Sequence, residues 1–130
     1  MEINWLAVIL AAVSAFILGG LWYGPLFGKK WMGYTGMTEE KAKSANPAKT
    51  YGLAFLLALI AALGFGLFLH DGMTLEQVVG AGLGVGLFWV TTSFGISYLF
   101  EQKPLGLWLV NSGYHVLQFA LYGAVFGLMS

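Results

Sequence analysis

Arginine and cysteine are both absent from this chain, and charged residues of every kind make up only 9% of its 130 residues. An ordinary soluble domain carries about a quarter charged residues, so the shortage argues against one. Without cysteine there is no disulfide, no thiol nucleophile and no thiolate metal site. Without arginine, and with a net charge of +0, the chain lacks the basic surface that nucleic acid requires. Charge is missing most completely from four blocks. Trp5–Gly24, Tyr51–Leu69 and Leu105–Met129 contain none, and Leu75–Phe100 contains only Glu76 in its first turn.

What fills those blocks is apolar, and 58% of the whole chain is hydrophobic. About 20 apolar residues at 1.5 Å rise cross a hydrocarbon layer of roughly 30 Å, so each block is long enough to span. The expected architecture is all-α: a single integral membrane domain over residues 1–130, with spans near 4–24, 51–70, 75–100 and 105–129. A cytoplasmic interfacial loop with a short helix joins the first two spans. The first span is expected to be retained rather than cleaved, because no basic segment precedes it.

Sidedness follows from lysine. Lys29, Lys30, Lys41, Lys43 and Lys49 fall between the first two blocks and Lys103 between the last two, while Glu2, Asp71 and Glu76 face the other way. The lysine-bearing segments are therefore expected in the cytoplasm and both termini outside. Trp5, Trp22, Tyr23, Trp31, Tyr51 and Trp108 sit near block ends, where rings anchor at headgroup level. Gly24-Pro25 is expected to stop the first helix. Thr38 reads as a cap for Glu39-Glu40, Asn46-Pro47 as the end of that short helix, Thr74 and Gln77 as a capping box, and Pro104 as the first turn of the last span.

In lipid, close backbone approach at small residues drives helix pairing. Ala7, Ala11, Ala15 and Gly19 form one such stripe, and Ala54, Ala58, Ala62 and Gly66 a second. The third block holds two stripes, Gly80, Gly84, Thr91, Gly95 and Gly82, Gly86, Ser93, Ser97, about 160° apart. That block is expected to lie between two neighbours. The stripes are either seams within the chain or a contact between copies, and a homo-oligomer is expected.

The last block has an unusual face. Asn111, His115, Gln118 and Tyr122 lie within about 60° of one another, opposite Gly106, Gly113, Ala120 and Gly127. An unpaired amide or imidazole in hydrocarbon costs several kcal/mol, so these groups need partners. A hairpin about Gln102 would bring Thr92 and Ser93 to the depth of Asn111 and Ser112. Three readings of the stripe remain open: interhelical hydrogen bonding alone, a hydrated pathway or pocket for a small polar solute or ion with His115 near the midplane, and an interface between copies.

Other chemistry is thin. His70, Asp71, Glu76 and Glu2 share a side but make a poor metal set, and no metal or cofactor is expected. The glycines at 80–86 follow no strand and are not a nucleotide loop. No serine–histidine–carboxylate set exists at membrane depth, so an enzyme is not expected. The absence of a carboxylate in the first span also argues against the proton-coupled export used by small four-span drug exporters. The alternative to a channel-like or transport-like protein is a scaffold that docks a partner or anionic lipid through residues 26–49.

The run Trp22-Tyr23-Gly24-Pro25-Leu26-Phe27-Gly28-Lys29-Lys30-Trp31-Met32, followed by Gly36-Met37-Thr38-Glu39-Glu40, resembles the signature of a bacterial membrane family known only as a domain of unknown function, number seventeen sixty-one. Asn111-Ser112-Gly113-Tyr114 is similar to that family's second characteristic stretch. The resemblance implies a four-span protein of the bacterial inner membrane and brings no activity, cofactor or site residue with it.

Overall fold

Two of the local signals, Thr38 and the Thr74–Gln77 pair, act as read. The structure, a computed structural model, describes residues 2–130. Its helices are α1 (Trp5–Leu26), α2 (Gly28–Thr35), α3 (Glu39–Ser44), α4 (Pro47–Leu67), α5 (Leu75–Phe100) and α6 (Leu105–Leu128). No strand occurs among the described residues. Thr38 Oγ1 accepts from the Lys41 N–H at 3.1 Å and starts α3. Thr74 and Gln77 form the full capping box of α5, with bonds of 3.2 and 3.0 Å. Asn46 does more than end the short helix. Its Oδ1 accepts from the Lys49 N–H at 3.3 Å, so α4 begins at Pro47, where a missing N–H costs nothing. Pro104 sits one residue before α6 rather than in its first turn.

α1, α4 and α5 are long and apolar enough to cross a membrane. α6 runs 24 residues without a charge, but Asn111, Tyr114, His115, Gln118 and Tyr122 make it less apolar.

Gly24-Pro25 does not stop α1. Residues Trp22–Leu26 form a π-helical turn, closed by the Phe27 N–H on the Trp22 carbonyl at 2.8 Å. The wider turn accommodates Pro25, which has no N–H to return, and the chain breaks only at Phe27. The following segment is helical (α2) and ends at Gly36, whose φ of 74° is the left-handed conformation that glycine adopts freely. A second π-turn, Gly86–Val90, lies inside α5.

α6 is the centre of the bundle. α1 lies antiparallel along it: the Asn4 amide donates to the Met129 carbonyl at one end, and Trp22 Nε1 donates to the Val110 carbonyl at the other. α5 covers another side. A Cβ on Gly82 would collide with the Phe119 carbonyl, one on Gly86 with Val116 Cα, and one on Gly123 with the Val78 carbonyl. These backbones approach as only glycine permits. α2 tucks beneath the start of α6, with the Tyr34 ring on Gly106. α4 packs mainly on α1 and makes no extended seam with α5.

The stripe of α1 is a seam within the chain, since Ala7, Ala11 and Ala15 are fully buried. In α4 only part of the stripe closes: Ala58 and Ala62 are buried and Ala54 is exposed. α5 corrects the expectation of two seams. Gly80 and Gly84 meet nothing within 4 Å. The single seam runs Gly82, Gly86, Thr91, Gly95, crossing from one expected stripe to the other. Its step of five from Gly86 to Thr91 is the π-turn, which inserts one residue and rotates everything after it. Ser93 and Ser97 are thereby turned outward and exposed.

Candidate functional site

The polar face of α6 makes two hydrogen-bonded groups. In the first, Tyr23 Oη donates to Asn111 Oδ1 at 2.7 Å, and Asn111 Nδ2 donates to Tyr98 Oη at 2.8 Å. The π-turn of α1 is what aims Tyr23 at α6. The same turn puts the Trp22 ring against Gly113. Trp108 is likewise turned inward, donating to the Thr91 carbonyl at 2.8 Å.

The second group is a directed chain. Gln118 Nε2 donates to Tyr122 Oη at 2.8 Å, and Tyr122 donates to the Ala58 carbonyl of α4 at 2.9 Å. That orientation leaves Gln118 Oε1 as acceptor, facing His115 Nδ1 at hydrogen-bond distance. The neutral imidazole therefore carries its proton on Nδ1 and keeps Nε2 as a free acceptor. An amide stands in the middle, so the chain orients His115 rather than relaying protons along α6.

Thr92 and Ser93 do not join either group. Both are exposed, and Thr92 Oγ1 donates back to the Phe88 carbonyl at 2.7 Å. Thr91 Oγ1 does the same to Leu87 at 2.7 Å, so the two hydroxyls serve carbonyls loosened by the π-turn. The α5 partner of Asn111 is Tyr98. Ser112 is buried, and its hydroxyl has no partner among the described residues.

Around these groups the helices leave space beside α4. At the end bearing the lysines, Phe16, Tyr23, Tyr51 and Tyr114 surround a cavity of about 410 Å³. A second, also about 410 Å³, shares Phe16, Ala54 and Tyr114 with it and adds His115 and Gln118. A third, about 790 Å³, shares Ala61 and Phe119 with the second and is lined by Phe88, Trp89, Met73 and His70. A fourth, about 430 Å³, shares Leu69, His70 and Met73 with the third and ends among Glu2, Asn4 and Asp71. Neighbouring cavities share lining residues, so the four lie in series along α4 from Tyr51 to His70. Their volumes lie in the range typical of small-molecule sites.

The family model for proteins of unknown function, DUF1761, matches residues 6–127 of this chain. The chain belongs to the DUF1761 family. No curated protein and no solved structure matches it.

For this DUF1761 member the stripe Asn111, His115, Gln118, Tyr122 was legible by spacing, and all four are half-buried or buried. Tyr23, Tyr98 and Tyr114 were missed as partners. Tyr114 packs against Gly19 and donates to the Ala15 carbonyl at 3.0 Å. The one signal for Tyr23 and Tyr114 was their place in the two family motifs. Among the described residues no cluster of three metal-ligating side chains occurs, and His70 bonds only to the neighbouring Asp71 carbonyl.

Proposed function

We propose that this protein is a four-span protein of the bacterial inner membrane that carries a small polar solute through the crevice beside α4. The fourth span is α6. Support comes from its length of about 36 Å and from its antiparallel course along α1, with both pairs of ends in contact. An even number of crossings puts the termini together, and the lysine distribution puts them outside.

The transport reading rests on one observation: the cavities lie in series along α4 and share lining residues, with His115 lining the second. Hydrogen bonding alone would hold α6 in place but would need no such space beside it. The test is uptake of labelled glycerol or methylammonium into liposomes. His115→Ala and Ala61→Phe should each lower uptake about tenfold while leaving the melting temperature within a few degrees. Uptake by the unaltered protein no faster than by protein-free liposomes, or undiminished uptake by both variants, would end the reading.

A second reading is favoured by the segment Thr38–Thr50, in which every residue is exposed and the polar bonds are local. That segment, with Lys41, Lys43 and Lys49, would dock a partner at the cytoplasmic face. Pull-down from native membranes with and without it decides. As for assembly, the open Gly80–Gly84 face is where a second copy would pack.

A further inference from the structure

The mouth of the crevice has a chemistry of its own. Where α1 and α4 part, Phe16, Tyr23, Tyr51 and Tyr114 line one cavity together with Gly20 and Gly24. No charged side chain lines this space. Two phenol protons are already committed, Tyr23 to Asn111 and Tyr114 to the Ala15 carbonyl. What those residues present is aromatic carbon and oxygen lone pairs. The backbone N–H groups of the helical glycines belong to the helix ladder, which leaves the Tyr51 hydroxyl at the exposed rim as the one uncommitted donor. The next cavity inward is lined by His115 and Gln118 and again by no Lys, Asp or Glu.

The space is also kept open by missing side chains. A Cβ on Gly20 or Gly24 would meet nothing within 4 Å, and both glycines line the cavity. An electron-rich enclosure of this kind attracts a cation held within about 6 Å of the ring centroids. It repels an anion, for which it has no cationic or amide donor. It also suits a poorly hydrated cation better than a metal ion, because hard cations require carboxylate or carbonyl oxygens in number. Lys29, Lys30 and Lys49 are exposed and lie outside the lining.

We propose that the aromatic mouth formed by Phe16, Tyr23, Tyr51 and Tyr114 binds an organic ammonium group on its ring faces. The site rests on the crevice geometry and not on transport. A water-soluble amine and the headgroup of a choline or ethanolamine lipid carry the same chemistry.

The experiment uses the full chain in nanodiscs of phosphatidylglycerol, titrated with choline and followed by calorimetry. Saturable binding is expected, with the neutral isostere 3,3-dimethylbutan-1-ol about tenfold weaker. Gly20→Phe should weaken choline about tenfold without changing the melting temperature, and Tyr51→Leu should weaken it about threefold. Discs that also contain phosphatidylcholine identify the source. Loss of choline binding there assigns the site to a lipid headgroup, and unchanged binding assigns it to a soluble ammonium; either supports the proposal. No saturable binding, equal binding of the isostere, or full binding by Gly20→Phe overturns it. Glycerol uptake without choline binding would leave transport standing and remove this site, and choline binding without uptake would do the reverse.

Discussion

α4 and α6 are nearly equal in length and opposite in construction. α4 is the more apolar, yet most of its surface is bare: Leu53, Leu56, Leu57 and Ile60 are all exposed. α6 carries the amide, imidazole and phenol groups, yet only Leu105, Leu109, Leu117 and Leu128 of its residues are exposed. In water this would be inside out. In lipid, apolar surface gains little from burial, so the helix with polar groups and glycines belongs in the middle and the leucine-rich one outside. The comparison also explains the crevice. α6 meets its neighbours at glycines, whereas α4 meets α1 at Ala58 and Ala62 and lets go at Ala54.

The largest expected effect attacks the α6 side of that contrast. Gly82→Leu forces a side chain onto the Phe119 backbone and should destabilise the protein by roughly 3 kcal/mol or more. Gly80→Leu, two residues away on a face that meets nothing of this chain, should cost far less. Equal effects in a detergent melting experiment would mean that α5 is not seated as described. Tyr122→Phe comes next. It removes the hydroxyl that joins α6 to Ala58 of α4 and strands Gln118 Nε2, at a cost of about 1–2 kcal/mol. Gln102→Gly should stabilise by up to about 1 kcal/mol, because Gln102 holds a φ of 57° in the turn before α6. Smallest of all, Leu56→Ala on the bare face of α4 should stay within about 0.5 kcal/mol by the same melting measurement. A large loss there would show that α4 is covered by protein and not by lipid.

Much of this was readable residue by residue, for a physical reason. Caps such as Thr38 and Thr74 act within three residues, and the charge-free blocks and the α6 stripe follow from helix period alone. The π-turns were not readable. Gly24-Pro25 looks like a stop signal whether the chain breaks or widens, and nothing in Gly86–Val90 marks an extra residue. One inserted residue rotates the rest of α5, which is why Thr92 and Ser93 missed Asn111 and Tyr98 met it. The Tyr23–Asn111 bond joins residues 88 apart in the chain and depends on the α1 turn, so no local rule could supply it.

The absence of cysteine makes the most direct test clean, since a single introduced thiol is the only one in the chain. The decisive measurement is the rate at which a membrane-impermeant methanethiosulfonate reagent labels single cysteines along α4 in native membranes. The crevice account predicts fast labelling of Ala54→Cys and Ala61→Cys, which line the cavities, and slow labelling of Leu56→Cys and Ile60→Cys on the bare face. Equal rates at all four positions would contradict it.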